Sequence, residues 1–335
     1  MLSAIELTKR LIDIPSVTKD EYAVANFLYE YLQGFVNVKK IPVAEKRFNI
    51  LASESNKPDV ILTSHMDTVA PFIPSSVNNM RLYGRGACDA KGIIAAMIQA
   101  FLELAEGQRE RSGLLFVVGE ETDSIGAKSL KEQEIIPRYF INGEPTGNKL
   151  VRAQKGTFMF KVSAKGKASH SGYPEYGRSA VETLLDYLND LRNYKWPDDE
   201  FFGNTTFNIG KINGGEAINT LASDASAHCC IRVATNCSDI RKILEKNKRP
   251  DVDINIISSS EPMRLFCPGS FKDTISVSYG SDAWYLQQIA PTLMIGPGSI
   301  LDAHRPDESI GIDELEQAVS VYKKLIHDLL ENQGK

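Results

Sequence analysis

The sequence contains a set of histidines and carboxylates whose positions suit metal binding. They are His65, Asp67, Asp89, Glu120, Glu121, Glu144 and His304. Most of them follow a short apolar run of the kind that forms a buried parallel strand. In open α/β sheets ligands bind beyond the carboxyl ends of the strands, so these side chains are expected to meet there. Because like charges held close together raise one another's pKa, a divalent cation is needed to relieve the conflict, and we predict a metal centre at this edge.

Each of these residues also has a simpler explanation when it is taken alone. His65 could be a structural histidine at a strand end, and Asp89 could cap the helix that follows it. Glu120 and Glu121 could form a solvated pair in a loop, and His304 could lie on the surface. The metal hypothesis is favoured because all the ligand types occur where a single sheet would bring them together.

The segments around these residues alternate between strand and helix patterns, which favours an α/β fold with a mixed, mostly parallel sheet flanked by helices. The predicted strands are 60–63, 114–118, 140–142 and 292–295, and the predicted helices are one that ends near Gly34, a buried one at 91–105 and a closing one at 313–330. Thr18 and Glu21 have the spacing of a capping box and precede the helix that ends near Gly34. Asp89 is positioned to cap the buried helix.

A different pattern begins near Lys155. It consists of a loosely alternating strand at 158–162, a helix at 179–191 and strand-like stretches at 206–209 and 227–233. This βαββ order predicts a smaller α+β domain, residues 155–266, inserted between the two parts of the first domain, 1–154 and 267–335. The chain is expected to return to the first sheet near Ser270.

Composition argues against several classes of protein. The chain has 335 residues, 42% of them hydrophobic, and a net charge of −5 with acidic and basic residues interspersed. It has neither a basic stripe that would bind nucleic acid nor a polybasic patch that would bind a membrane surface. No apolar run approaches the roughly 20 residues that span a bilayer, and the first residues lack the pattern of a signal peptide.

The five cysteines are odd in number and form no C-x-x-C pair. They therefore indicate neither a disulfide framework nor a structural zinc knuckle, and a reducing cytoplasm is the expected location. Cys88 lies beside Asp89, but it is expected to be a buried thiol without a chemical role.

Taken in order, the motifs around these residues resemble those of a known family. They are Ser64-His65-Met66-Asp67, Gly84-Arg85-Gly86-Ala87-Cys88-Asp89-Ala90-Lys91-Gly92, Gly119-Glu120-Glu121-Thr122, Gly143-Glu144-Pro145-Thr146, and Gly296-Pro297-Gly298 followed by His304. The set resembles the aminoacylase, acetylornithine deacetylase and succinyl-diaminopimelate desuccinylase family of dinuclear zinc hydrolases, which also includes carboxypeptidases and dipeptidases. The resemblance covers essentially the whole chain. It implies a zinc-peptidase-like catalytic domain, with the inserted domain acting as a lid and as the contact surface of a homodimer.

The resemblance also implies which residues hold the metals. Asp89 would bridge two divalent ions, with His65 and Glu144 completing one site and Glu121 and His304 completing the other. Zinc is the expected metal, and cobalt or manganese would also suit ligation rich in carboxylates. The position of Glu144 is Asp in some relatives, and Glu there resembles the deacylase branches.

Two further carboxylates would act beside the metals. Asp67 would hydrogen-bond the imidazole of His65 and so fix its tautomer. Glu120, adjacent to a ligand but not itself one, would be the general base, which takes a proton from a metal-activated water and delivers it to the leaving amine.

The inserted domain would contribute to substrate binding. His170, in the segment Gly166-Lys167-Ala168-Ser169-His170-Ser171-Gly172, is an exposed loop residue when taken alone, whereas the resemblance makes it a donor to the oxyanion, often delivered by the second subunit. Asn219 and Arg232 lie in segments that resemble those binding the substrate's carboxylate. A structural salt bridge at a strand end is the alternative for Arg232.

The substrate predicted from these motifs is an N-acyl amino acid or a short peptide. The stretch from Gly296 through His304 to Glu308 looks most like acetylornithine deacetylase of arginine biosynthesis, so removal of an acyl group from a basic amino acid is the leading expectation. Deacylases of lysine or ornithine, as in lysine biosynthesis, and succinyl-diaminopimelate desuccinylase are related alternatives. A dipeptidase, tripeptidase or carboxypeptidase is the nearest enzymatic rival, and a non-catalytic metal-binding homologue is the alternative of another class.

Overall fold

A computed structural model of the chain describes residues 1–331. The chain forms two compact units. Among the described residues, unit 1 consists of Met1–Arg152, Leu265–Ile275 and residues 281–331, and unit 2 consists of Ala153–Arg264 and Ser276–Gly280. The sequence predicts domain boundaries after residues 154 and 266, and the chain passes between the two units after Arg152 and after Arg264, two residues earlier in each case. The sequence does not predict that Ser276–Gly280 also belongs to unit 2.

The described residues form the following elements. The helices are α1 (Ala4–Ile12), α2 (Tyr22–Gln33), α3 (Lys91–Leu102), α4 (Glu106–Glu110), α5 (Ile125–Ser129), α6 (Ala180–Asn193), α7 (Cys237–Lys246), α8 (Ala283–Leu286) and α9 (Ile312–Glu331). The strands are β1 (Val38–Ala44), β2 (Arg47–Ser53), β3 (Val60–His65), β4 (Ser76–Asn78), β5 (Arg81–Tyr83), β6 (Ser112–Val117), β7 (Tyr139–Asn142), β8 (Leu150–Gln154), β9 (Gly156–Lys165), β10 (Thr206–Gly214), β11 (Asp224–Val233), β12 (Val252–Ser260), β13 (Met263–Arg264), β14 (Thr274–Val277), β15 (Thr292–Met294) and β16 (Ser309–Gly311).

Unit 1 is built on a six-stranded sheet of order β1-β2-β6-β3-β7-β15. The neighbours from β6 to β15 are parallel, while β1 and β2 are antiparallel additions at one edge. Strands β3 and β6 are buried at every position because helices or loops cover both faces of the sheet. This is the environment in which a continuous apolar run is stable as a strand. All four predicted strands form, and the antiparallel pair was not predicted.

Helices α1, α3 and α9 pack together on one face of this sheet. Ten of the twelve residues of α3 are buried, which explains why its sequence is apolar nearly all round. The other face is covered by a smaller cluster that includes Leu130, Phe140 and Leu286. A separate short sheet of order β16-β5-β4 joins the chain just after residue 308 to the segment that leads into α3.

Unit 2 is a four-stranded antiparallel sheet of order β10-β11-β9-β12, with α6 and α7 packed against it. Burial alternates along β11, so one face of the strand enters the core formed with these helices. The predicted order βαββ is therefore incomplete, because α7 and β12 follow. Neither was predicted, although α7 is amphipathic and burial alternates along the first part of β12.

Two predicted helix caps are wrong. Helix α2 begins after Glu21 without a side-chain cap; the Thr18 hydroxyl instead donates to Asp67 Oδ2 at 2.8 Å, and Glu21 pairs with Arg47 at 2.6 Å. Helix α3 also lacks a side-chain cap, because Asp89 is directed at His65. The cap positions themselves are shifted, since Glu21 rather than Thr18 immediately precedes α2 and Ala90 rather than Asp89 immediately precedes α3.

Among the described residues no helix has both the length and the apolar character needed to cross a bilayer. The five cysteines are all free thiols.

Candidate metal centre

Three parallel strands end side by side and place the first candidate ligands. His65 is the last residue of β3, in register with Val117 at the end of β6. Glu120 and Glu121 follow β6 within four residues, and Glu144 follows β7 within two. The carboxyl ends of neighbouring parallel strands thus bring His65, Glu121 and Glu144 to one edge, as the sequence predicts.

The His65 side chain is buried and held in one orientation. Its Nδ1 lies 3.0 Å from the backbone oxygen of Asp67, and its Nε2 lies 2.9 Å from Asp89 Oδ1. A carbonyl oxygen can only accept, so Nδ1 carries a proton and Nε2 is the nitrogen that faces the carboxylates. This is the tautomer in which Nε2 can bind a metal ion.

His304 approaches the same aspartate from the other side. Its Nε2 lies 3.4 Å from Asp89 Oδ2 and 3.0 Å from Glu121 Oε1. Each oxygen of Asp89 therefore faces a different imidazole. In addition, His65, Asp89 and Glu121 each offer a ligand atom within 4.8 Å of the others. A carboxylate with one oxygen towards each of two ligand groups has the arrangement of a bridging ligand.

The electrostatics of the cluster depend on its excess of acidic groups. Burial and the nearby charge of Glu144 raise the pKa of Glu120 well above its ordinary value, and burial and the charge of Asp89 do the same for Glu144. Burial opposes ionisation of Asp89, but hydrogen bonds with His304 and His65 outweigh it and lower the pKa of Asp89. Hydrogen bonds with Asp89 and Glu121 raise the pKa of His304 to about 10. The negative charge of these carboxylates thus favours a proton or another cation among them.

Asp67 has a different contact from the one predicted. Its Oδ1 is 3.6 Å from His65 Nδ1, so the backbone oxygen of Asp67, not its carboxylate, makes the short contact with the imidazole. The carboxylate instead accepts N–H donors from Gly119 at 3.0 Å, Glu120 at 3.1 Å and Glu121 at 3.2 Å. Asp67 therefore fixes the loop that carries Glu120 and Glu121.

Gly119 allows that loop to turn. Its φ is +82°, and a Cβ there would lie 2.7 Å from Arg47 Nη2. A residue with a side chain would be strained in both respects. The tight turn after β6 directs both glutamates towards the ends of β3 and β7.

The residues predicted to contact substrate lie in unit 2. His170 is exposed, its Nδ1 accepts the N–H of Gly172 at 3.1 Å, and it forms a β-bridge with Thr220, next to Asn219. Arg232 lies near the end of β11 and donates from Nη1 to Thr157 Oγ1 at 2.8 Å. The structure thus brings His170 and Asn219 into adjacent segments and separates both from Arg232 along β11.

Three buried charged residues of unit 1 were not singled out from the sequence. Arg85 and Asp282 are each 2% exposed, and Glu308 is 1% exposed. Arg85 and Glu308 both lie in motif segments, but they pair across 223 residues, which no local signal reveals. Neither oxygen of Asp282 has a hydrogen-bond partner among the described residues.

Comparison with known proteins identifies the family. The model of Peptidase family M20/M25/M40 matches residues 61–328. A Schizosaccharomyces pombe protein described as peptidase M20 domain-containing is 39% identical, covering 96% of this chain and 84% of its own. A probable carboxypeptidase of Aspergillus clavatus is 35% identical, covering 96% of this chain and 87% of its own. The chain belongs to peptidase family M20/M25/M40.

Solved structures agree with this membership at the level of the fold. A tripeptidase from Staphylococcus aureus gives a TM-score of 0.81 at 22% identity, covering 97% of this chain and 98% of its own. A Bacillus subtilis protein described as a dinuclear metal-binding peptidase of the M20 family gives 0.71 at 14% identity, covering 98% of each chain. These likenesses confirm the predicted mixed α/β fold.

Membership in peptidase family M20/M25/M40 confirms that the protein is an enzyme, a metal-dependent hydrolase. The relatives named above are described as a peptidase M20 domain-containing protein and a probable carboxypeptidase. They support the family that the sequence motifs resemble, and they do not favour its acetylornithine deacetylase branch over its peptidase branches.

Proposed function

We propose that this protein is a two-metal hydrolase that cleaves the amide bond preceding a carboxyl-terminal amino acid, in a short peptide or an N-acyl amino acid. The observation that carries the proposal is Asp89, whose two oxygens face His65 at 2.9 Å and His304 at 3.4 Å. Two imidazoles converging on one carboxylate, among further buried acids, form a donor set suited to two divalent ions.

We assign the ligands as the motif resemblance implies. His65 and Glu144 would hold one ion, Glu121 and His304 the other, and Asp89 would be shared. Zinc fits this mixture of nitrogen and oxygen donors, and cobalt and manganese are the alternatives. When bound, the pair would activate water and polarise the scissile carbonyl.

Glu120 is the proposed general base. The turn at Gly119 and the bond from its own N–H to Asp67 Oδ1 at 3.1 Å hold it beside the ligands. Burial and the charge of Glu144 raise its pKa, which makes its carboxylate a better proton acceptor than an exposed glutamate would be. It would take the proton of the attacking water and pass it to the leaving nitrogen.

His170 is the proposed oxyanion donor. Because its Nδ1 accepts the N–H of Gly172, the neutral ring carries its proton on Nε2. That nitrogen can donate to a developing negative charge. The hydrogen bonds of its loop supply this tautomer before substrate binds.

A homodimer would allow both predicted substrate contacts to be made. Along β11, Asp224 and Arg232 are eight residues apart, which corresponds to about 26 Å. Beyond Asp224 the chain continues through Leu221, whose N–H donates to the oxygen of Ser169 at 2.9 Å, to the segment beside His170. A small substrate cannot touch both ends of this strand in one copy. Arg232 from one copy and His170 with Asn219 from another could contact the same substrate, so we propose that unit 2 is the lid and dimerisation domain.

The general-base role is tested by replacing Glu120 with Gln. We expect Glu120→Gln to retain its metal ions and to lose about 10²–10⁴-fold in kcat, because the variant keeps the shape of the site but cannot accept the proton. Metal content by elemental analysis and kcat are measured on the same sample, with the exposed Glu45→Gln as control. Turnover near that of the wild type would remove Glu120 from the mechanism.

The substrate class is tested by a direct comparison. Zinc- or cobalt-loaded protein is assayed for release of free amine from acetylornithine, N-acyl-lysine, succinyl-diaminopimelate, dipeptides and tripeptides. The proposal expects cleavage next to a free carboxyl terminus and loss of activity when that carboxylate is amidated. Equal rates on amidated substrates would contradict it. Preference for acyl or peptidyl substrates would decide between the deacylase and peptidase branches.

A further inference from the structure

Glu308 lies beneath the loop that carries Asp89. Its side chain is fully buried, and its Oε1 accepts three backbone N–H groups, from Gly86 at 2.9 Å, Cys88 at 3.2 Å and Asp89 at 3.2 Å. One carboxylate oxygen thus holds the backbone of the shared ligand and of two of the three residues that precede it. None of these contacts uses the Asp89 side chain, which stays directed at the imidazoles.

The other oxygen of Glu308 is held by Arg85. Arg85 Nη1 lies 2.6 Å from Glu308 Oε2 and also donates to the backbone oxygen of Arg305 at 3.2 Å. The N–H of Gly84 in turn donates to the backbone oxygen of Glu308 at 3.0 Å. Side-chain and backbone hydrogen bonds therefore both connect the segment around Arg85 to the turn between His304 and Glu308.

This buried pair connects two of the proposed metal ligands. Asp89 belongs to the loop that Glu308 holds, and His304 precedes Glu308 by four residues in the turn that Arg85 holds. His304 has a φ of +64°, a conformation that surrounding contacts must maintain. His65 is placed independently, by strand β3 and by the backbone oxygen of Asp67.

We propose that Glu308 is a positioning residue which, with Arg85, sets the distance between Asp89 and His304 and thereby the affinity of the metal position that these two ligands share. The inference rests on the proposed function, since it concerns the same two-metal centre. Of the three ligands at the other metal position, only Asp89 is held by the buried pair, whereas His65 and Glu144 are not. That position should therefore depend less on Glu308.

Two conservative variants separate the geometry of Glu308 from its charge. Glu308→Asp keeps the charge but is one methylene shorter, so it cannot reach Arg85 and the three N–H groups together. Glu308→Gln keeps an oxygen for the N–H groups and loses the charged contact with Arg85. We expect Glu308→Asp to weaken zinc binding at one of the two positions about 10–100-fold, as loss of a residue that orients a ligand does elsewhere. Glu308→Gln should lose less.

The readout is zinc affinity, measured by competition with a chromogenic chelator, together with the visible spectrum of the cobalt-loaded protein. Leu28→Ala serves as the matched control, because it opens a cavity in the core of unit 1 without touching the centre. The proposal is supported if Glu308→Asp weakens one position selectively and Leu28→Ala weakens neither. It is overturned if both dissociation constants are unchanged in Glu308→Asp, or if both rise equally. A wild type that binds no pair of ions contradicts the proposed function itself.

Discussion

Asp282 offers a quantitative test of how much a buried carboxylate near the candidate metal centre lowers the free energy of unfolding. The residue precedes α8 and is 2% exposed, and neither carboxylate oxygen has a hydrogen-bond partner within residues 1–331. Burial raises the pKa of Asp282 from 3.8 to about 6. We predict that Asp282→Asn stabilises the metal-free protein at neutral pH.

The magnitude follows from the pKa. A carboxyl group whose pKa rises from 3.8 to about 6 on folding corresponds to about 3 kcal/mol. Between these two pH values the folded state binds the proton more tightly than the unfolded state does, so wild-type stability falls as the pH rises through the window and is constant above it. The amide that replaces the carboxyl group in Asp282→Asn never ionises and avoids this loss. The advantage of the variant should therefore be about 2.5 kcal/mol larger at pH 7.5 than at pH 4, because pH 4 already lies slightly above the ordinary aspartate pKa of 3.8.

The assay can be confined to unit 1. The two tryptophans are Trp196 in unit 2 and Trp284 in unit 1, so a Trp196→Phe background leaves Trp284 as the reporter, two residues from the substitution. Urea unfolding of chelator-treated protein is followed by fluorescence at both pH values, with the exposed Asp20→Asn as control. Added zinc should reduce the gain, because divalent ions nearby favour the charged carboxylate. Parallel pH dependence in variant and wild type would refute the reasoning.

Two further predictions concern unit 2. His170→Ala should lower kcat by about 10²–10³-fold without changing metal content, as loss of an oxyanion donor does elsewhere. A normal kcat would exclude that role. His327→Ala, measured in the same way, is the control. Arg232→Lys should mainly raise KM, because lysine lacks the fork that binds a carboxylate in two places, and an unchanged KM would leave Arg232 as a structural partner of Thr157.

The sequence predicted that the candidate ligands lie at one edge of the sheet, because parallel topology makes their positions regular. Strands β3 and β6 are uninterrupted apolar runs, and in a parallel sheet the residues after such runs meet at one edge whatever lies between them in the chain. His65, Glu121 and Glu144 could therefore be grouped without knowing the loops. The proposal that Asp89 bridges two ions came from the resemblance.

What the sequence did not reveal depends on partners far along the chain. Thr18 and Asp89 were predicted to cap helices, yet each lies before the cap position of its helix and contacts Asp67 or His65. The buried partners of Glu308 lie 219 to 223 residues away. Where each helix begins and what these side chains contact depend on tertiary packing, so local spacing alone gave the wrong answer for both caps.

An effect of the Asp282 charge on the proposed base would explain why this carboxylate is buried. Asp282 contributes to raising the pKa of Glu120, together with Glu144 and Glu121. When Glu144 and Glu121 bind metal ions, much of their negative charge is neutralised, whereas an unligated Asp282 keeps its own. Asp282 would then be the carboxylate that still keeps Glu120 basic in the loaded enzyme, a case in which stability is given up for activity. On this reasoning Asp282→Asn, although more stable, shifts the acid limb of kcat/KM to lower pH, because Glu120 loses its proton more readily. A pH profile identical to that of the wild type would mean that the charge of Asp282 does not act on the base.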